Sequence, residues 1–200
     1  PPHQVFNEMR ASGVTPDCAA YNALINVCAR AGDVARAEGA FGEMLAAHLK
    51  PDVISYTSLI KAFAVAGDAD GAERIFLEMQ QRTNHFTTFT PPSSYTFAHL
   101  MAVQRRAGNA SRVFGLLQGM EERGLRPDIA HLSVALQACE IYMDNPLSLE
   151  RALQLHTTMK RQGLRLDTRS LLSLDKLCRR HGRHELAARL RQERSKVPHP

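Results

Sequence analysis

The sequence predicts an all-α protein, an α-solenoid of stacked helix-turn-helix repeats, on three observations. Methionines recur at Met9, Met44, Met79, Met120 and Met159, separated by 35, 35, 41 and 39 residues, and self-similarity at such a period marks a stacked helical array. Around each methionine, apolar residues return every three or four positions, the spacing of one helix face. Trp is absent, aromatic residues make up only 6% of the chain, and no alternating run of Val, Ile and Thr offers a strand. The 200 residues therefore divide into about four full repeats with a partial one at each end.

Residues 1–17 read as the second helix of an incomplete repeat, with Phe6 and Met9 facing inward and Gly13 and Pro16 ending it. Repeat one, residues 18–52, breaks into two short amphipathic helices at Ala31-Gly32. Tyr21, Leu24, Ile25 and Cys28 form the stripe of the first helix. Asp33 caps the second, which buries Ala37, Phe41, Met44 and Leu45. Ala37 and Gly39 are small enough to let neighbouring helices approach closely. Repeat two, residues 53–93, places Tyr56, Leu59 and Ile60 in its first helix, turns at Gly67-Asp68, and carries Ala72, Phe76 and Met79 in its second. It is longer by six residues, and the excess lies in 82–93, whose Thr and Pro content predicts a loop. Phe86 and Phe89 either pack beneath that loop or face a partner.

Repeat three admits two registers, because Tyr95 matches the earlier tyrosines directly. Anchoring on Gly108, Leu117, Met120 and "GLRPD" instead puts Phe97 in the tyrosine slot and gives residues 94–128, 35 residues without a gap; this register is adopted. Asn109 then N-caps the second helix, so Asn109-Ala110-Ser111 reads as a helix start and not as a glycan acceptor. Repeat four, residues 129–167, carries four extra residues within 143–148, where Pro146 lengthens the turn. Residues 168–200 form a partial capping repeat with a basic tail. In it Arg191 and Arg194 fill slots held elsewhere by Phe and Met, as suits a face on which nothing stacks.

The net charge of +5 hides an asymmetry: residues 160–196 hold 12 basic and 4 acidic side chains, a local +8, against −3 for residues 1–159. Such a field attracts polyanions such as RNA, a solvated helix face being the other reading. Cys28, Cys139 and Cys178 share one phase near the end of the first helix, and no CxxC pair joins them or Cys18. Buried free thiols of a reducing compartment are expected, not disulfides. No run of about eighteen apolar residues, the length that crosses a bilayer, is present, and no membrane partner is expected. Because the chain starts mid-repeat on Pro1, a fragment or processed chain is expected, with any targeting peptide out of view.

Marks of catalysis are missing from the sequence: no His-x-Glu with a distant CxxC, no nuclease-like acidic cluster, no Gly-rich phosphate loop, no nucleophile elbow. Cys178, His181 and His184 have helical spacing, but Gly182 interrupts them and no fourth ligand follows, so exposed histidines of a basic patch are expected. The reading is a binding module with no catalytic residue, metal, cofactor or small-molecule substrate.

The run "YNALINVCARAGDVARAEGAFGEMLAAHLKPD" resembles the pentatricopeptide repeat, and "YTSLIKAFAVAGDADGAERIFLEM" and "GLLQGMEERGLRPD" resemble parts of it. The pattern extends from Phe6 to about Leu190. The tetratricopeptide repeat is the competing family, but its motif contains a Trp that this chain lacks. The resemblance implies a P-type-like array of degenerate repeats whose first helices line a concave groove for single-stranded RNA, each reading about one base.

Carried over by position, the resemblance implies a base-reading pair in Asn22 and Asp52, with Ala19 packing on the base and uracil preferred. Thr57 with Ser93 and Ile54 packing follows, with no base assigned. Ala98 with Asp128 and Tyr95 packing discriminates poorly, and Ser133 with Asp167 and Ala130 packing is closest to the guanine-preferring pattern. Arg179, Arg180 and Arg183 are expected on the RNA backbone.

The function implied is non-catalytic binding of single-stranded RNA in organellar gene expression, in a mitochondrion or plastid, serving RNA stabilisation, processing or translation. The alternative is a structural subunit of a large organellar ribonucleoprotein such as the mitochondrial ribosome, contacting ribosomal RNA and proteins. At roughly 1–3 kcal/mol per stacked base, two well-matched pairs do not make a tight specific complex, which keeps that alternative in view. A third reading is the RNA-guiding half of an enzyme whose catalytic domain lies outside this sequence.

Overall fold

Carboxylates start four of the first helices and glycines end many of the helices. The computed structural model describes residues 2–85 and 91–195, so Phe86 and Phe89 lie outside the described residues. The chain forms α1 (Pro2–Ala11), α2 (Cys18–Ala31), α3 (Val34–Ala46), α4 (Val53–Ala66), α5 (Ala69–His85), α6 (Ser94–Arg106), α7 (Ala110–Glu122), α8 (Ile129–Ala138), α9 (Pro146–Arg161), α10 (Thr168–Arg180) and α11 (His184–Ser195). A 3₁₀ turn, Cys139–Tyr142, follows α8, and no strand occurs among the described residues. The fold is an all-α helical-repeat fold of the solenoid class.

Asp17, Asp52, Asp128 and Asp167 each precede a helix in extended geometry. Their carboxylates accept the N–H of Ala20 (2.9 Å), Ser55 (2.9 Å), Ala130 (2.8 Å) and Ser170 (2.7 Å). Each cap satisfies an amide that the helix leaves open and contributes about 1 kcal/mol. Asp33 caps α3 in the same way, through Arg36 N–H at 3.1 Å. Asn109 departs from expectation: it precedes α7 without a side-chain cap, because its amide donates to Gln104 Oε1 at 2.8 Å instead. Gly32 closes α2 at φ 68°, a left-handed turn that most side chains resist.

The chain divides into two halves, Pro1–Val103 and Gln104–Pro200. In the first, α2 packs on α3 and α4, and α4 packs on α5. Edge-on ring pairs tie the second helix of one repeat to the first helix of the next: Phe6 to Tyr21 at 5.1 Å, Phe41 to Tyr56 at 5.2 Å, Phe76 to Phe97 at 5.5 Å. Such pairs contribute about 0.5–1.5 kcal/mol beyond burial. Phe97 is buried while Tyr95 is 76% exposed, as the adopted register requires.

Two further details differ from the sequence reading. Gly39 faces open space, and the close helix approach is at Gly71 instead, where a Cβ would sit 2.3 Å from the Phe63 ring. Arg82–His85, expected in a loop, continues α5, with Arg82 bonded one turn back to Glu78 at 3.3 Å.

In the second half, α8 packs on α7, α9 and α10, and α10 on α11. Leu117 and His156 take the slots that Phe41 and Phe76 hold, three residues before a methionine. His156 is buried and its Nε2 has no hydrogen-bond partner. The extra residues of repeat four are absorbed by the 3₁₀ turn and by Pro146 at the first position of α9, behind an Asn145 cap on Leu147 N–H at 3.0 Å. The last helix, α11, buries Ala187 and Leu190 and leaves Arg191 exposed. The four cysteines are thiols outside any disulfide, with Cys28, Cys139 and Cys178 buried; burial pushes the Cys139 thiol up to about 12.

Candidate functional site

The residues of interest sit near the N-terminal ends of the first helices and at the caps that open the next ones. In repeat one, Asn22 on α2 meets Asp52 at the start of α4: Nδ2 donates to Oδ1 at 3.1 Å and to Oδ2 at 3.3 Å. A third residue joins them. The Ser55 hydroxyl donates to Asn22 Oδ1 at 2.6 Å and accepts the Asp52 N–H at 3.1 Å. Asp52 thus serves twice, as cap of α4 and as acceptor for Asn22, inside a site where Asn22 is only 8% exposed.

Repeat two uses hydroxyls. Thr57 and Ser93 are linked through Thr96, whose Oγ1 lies 2.8 Å from Thr57 Oγ1 and 3.1 Å from Ser93 Oγ. The third pair is divided between the halves, Ala98 in the first and Asp128 in the second. Asp128 caps α8, and His131 Nδ1 lies 2.7 Å from its Oδ1. Burial works against the Asp128 carboxylate, but hydrogen bonds from the His131 backbone and ring and from Ala130 N–H outweigh it and hold the carboxyl below its ordinary value.

In repeat four Asp167 caps α10, yet the hydroxyls of Ser133 and Ser170, both buried, have no hydrogen-bond partner. The backbone frame of repeat one is present here without its polar bridge.

The bridging residues Ser55 and Thr96 were missed by sequence reasoning, as were His131 and Ser170, which hold the same position without bridging a pair. Each stands three residues after the last member of a pair, the spacing of a capping box, and Asp-x-x-Ser was the available signal. Reading Asp52 and Asp167 only as base contacts hid their role as helix caps.

The four packing candidates lie one helical turn before the first member of each pair, on the same face. Ala19, Ile54, Tyr95 and Ala130 are all exposed, Ile54 at 59% and Tyr95 at 76%. An exposed apolar side chain beside a fixed polar cluster suits a flat heteroaromatic ring, whose face can lie on the first while its edge meets the second.

The basic candidates differ in how they are held. Arg179 bonds to the buried carboxylate of Asp175 at 2.6 Å, and Arg191 Nε lies 3.7 Å from the other oxygen of that carboxylate. Withdrawing Arg179 would strand a buried charge, so this residue has a structural duty. Arg180 pairs with Asp144 at 2.5 Å, but both ends are well exposed, and such a pair exchanges for another anion at little cost. Arg183 is exposed at the end of the last inter-helix turn, directly before α11. His181 contacts Met143 O at 2.9 Å and Cys178 is buried; no group of three or more His, Cys, Asp or Glu able to hold a metal occurs among the described residues.

Comparison with known proteins adds three repeat matches: the PPR repeat family over residues 16–65, the PPR repeat over 54–83, and the pentatricopeptide repeat domain over 91–140. No curated protein matches the chain. Among solved structures it is similar to the pentatricopeptide repeat protein PPR10 from maize, at 26% identity and TM-score 0.60 over 95% of this chain and 26% of that one. It is similar to PPR10 in complex with an 18-nt psaJ RNA element at 20% identity and TM-score 0.70, over 94% of this chain and 26% of that one. The PPR domain of Arabidopsis thaliana protein-only RNase P 1 in complex with tRNA matches at 16% identity and TM-score 0.71, over 88% of each chain. This chain thus spans about a quarter of the solved PPR10 chains it resembles.

Proposed function

Because the chain belongs to the pentatricopeptide repeat family, we propose that it binds single-stranded RNA and reads a uracil at repeat one. The observation that carries this reading is the Asn22–Asp52–Ser55 cluster beside the exposed Ala19 and Ile54. After its bonds to Asp52 and Ser55, the Asn22 amide retains a second N–H and a second oxygen lone pair. That adjacent donor and acceptor complement a pyrimidine edge. Thr57 with Ser93, and Ser133 with Asp167, hold corresponding positions with weaker polar outfits, and the Ala98 position brings no polar atom at all. Arg180 and Arg183 supply backbone contacts near the C-terminal end. PPR10 in its solved complex holds an RNA element and the RNase P domain holds tRNA, which supports RNA as the ligand class.

The role this suits is passive: to hold a short single-stranded segment for protection, processing or translation in a mitochondrion or plastid. A second reading, a structural subunit of an organellar ribonucleoprotein, draws on the unbridged pair of repeat four and on the ion-paired Arg179.

Equilibrium binding to oligouridylate, oligoadenylate and an RNA duplex at several salt concentrations separates the two. Base reading predicts that single strands win, that uridine is preferred, and that Asn22→Ala lowers uridine affinity about tenfold, equivalent to about 1.4 kcal/mol. Equal binding to all three RNAs with a steep salt slope, unchanged in Asn22→Ala, would favour the ribonucleoprotein subunit.

A further inference from the structure

Ser55 belongs to the repeat after the one whose reading pair it touches, and it is fully buried. A serine hydroxyl carries one proton, and three acceptors lie within reach of it: Asn22 Oδ1 at 2.6 Å, Asp52 Oδ1 at 3.0 Å and Met44 Sδ at 3.7 Å. The shortest contact takes the proton. The lone pairs remain for Asp52 N–H at 3.1 Å, so the hydroxyl is fixed from both sides.

We infer that Ser55 is a positioning residue for base recognition, fixing the plane of the Asn22 amide so that repeat one separates uracil from cytosine. This inference rests on the RNA reading above. Asp52 alone grips the amide through Nδ2 and leaves it free to pivot about that contact; a second grip through Oδ1 fixes the plane. The two pyrimidines differ at the atoms the amide meets: uracil offers an N3–H donor between two carbonyl acceptors, whereas cytosine offers an N3 acceptor beside an amino donor. An amide of fixed orientation sets one of its atoms opposite N3 and distinguishes them. An amide that swings serves both.

The same position shows what happens when the partner is too short. In repeat four Ser170 is equally buried, but Ser133 stands at the position that asparagine holds in repeat one, and neither hydroxyl finds a partner. In repeat two Thr96 bridges Thr57 and Ser93, which shows that a threonine fits this position when fully buried.

The test is the affinity ratio for oligouridylate over oligocytidylate in wild type, Ser55→Ala, Ser55→Thr and Ser170→Ala, each checked for helicity and melting temperature. The expected result is that Ser55→Ala reduces the ratio roughly three- to tenfold, the weight of one oriented hydrogen bond, mainly by gaining affinity for cytidine. Ser55→Thr restores the ratio, and Ser170→Ala leaves it at the wild-type value. A folded Ser55→Ala that keeps the wild-type ratio overturns the positioning role while the RNA reading stands. A wild type that shows no preference for uridine over adenosine overturns the base reading, and the positioning role with it. If Ser55→Ala loses its fold, Ser55→Cys, a near-isosteric thiol that donates weakly, carries the test with the same two outcomes.

Discussion

Repeats one and four set the same backbone frame around different side chains. Both end on an aspartate that caps the next first helix, Asp52 through Ser55 N–H at 2.9 Å and Asp167 through Ser170 N–H at 2.7 Å. Both place a buried polar residue on the preceding first helix, Asn22 in one and Ser133 in the other. The asparagine reaches the aspartate and the bridging serine, whereas the serine leaves two hydroxyls unpartnered. Capping therefore accounts for the shared frame on structural grounds, and only the longer side chain closes it. A pair can look intact in sequence because its aspartate is needed for the helix, whether or not any base is read.

The contrast has measurable consequences for stability. The largest is expected from Asp52→Ala, which removes a cap worth about 1 kcal/mol and strips Asn22 of its acceptor inside the chain at about 1–3 kcal/mol. Urea unfolding should show a loss of roughly 2–4 kcal/mol, against about 1 kcal/mol for Asp167→Ala, which breaks only a cap. Equal losses would mean that the bridge contributes nothing.

Next comes Ser55→Ala against Ser170→Ala. The first leaves buried Asn22 Oδ1 without its donor and should cost about 1–3 kcal/mol. The second removes a hydroxyl that has no partner and should be neutral or slightly stabilising. If Ser170→Ala proves the more damaging, the open state of repeat four is wrong.

The smallest effect is one of pH, and it arises in repeat four. His156 holds a slot that phenylalanine fills in the first half; burial first, then Lys160, push its pKa below the ordinary 6.5, with Glu193 opposing them. A histidine with a lowered folded pKa binds its proton more tightly when unfolded. Stability is therefore full above about pH 6.5 and falls as the pH drops toward the folded pKa. Thermal melts of wild type and His156→Phe at pH 7.5 and 5.5 should show a smaller acid loss in the variant. An unchanged acid loss would place the sensitivity elsewhere.

The fold was legible because packing repeats itself: Phe97 could be assigned to the tyrosine slot over Tyr95 from spacing alone, and the ring contact with Phe76 follows from that register. Gly71 was not legible, since a close approach depends on where the Phe63 ring lies on the neighbouring helix. Of the candidate site, sequence position led to the Asn22–Asp52 contact and to the exposed Ala19, Ile54, Tyr95 and Ala130. Ser55 was hidden because its contact with Asn22 spans 33 residues and two repeats. Arg179 read as an RNA-backbone contact because the burial of its partner Asp175, one turn away on the same helix, is not visible in composition.

If a closed polar bridge turns a capped frame into a reading site, Ser133→Asn should create one, because it rebuilds in repeat four the Asn–Asp–Ser set of repeat one. The measurement is the affinity of wild type and variant for oligouridylate and oligoadenylate at matched salt. The account predicts that the variant gains roughly three- to tenfold for oligouridylate alone, one further oriented hydrogen-bond set. A folded Ser133→Asn protein with wild-type affinity for both oligomers would contradict it.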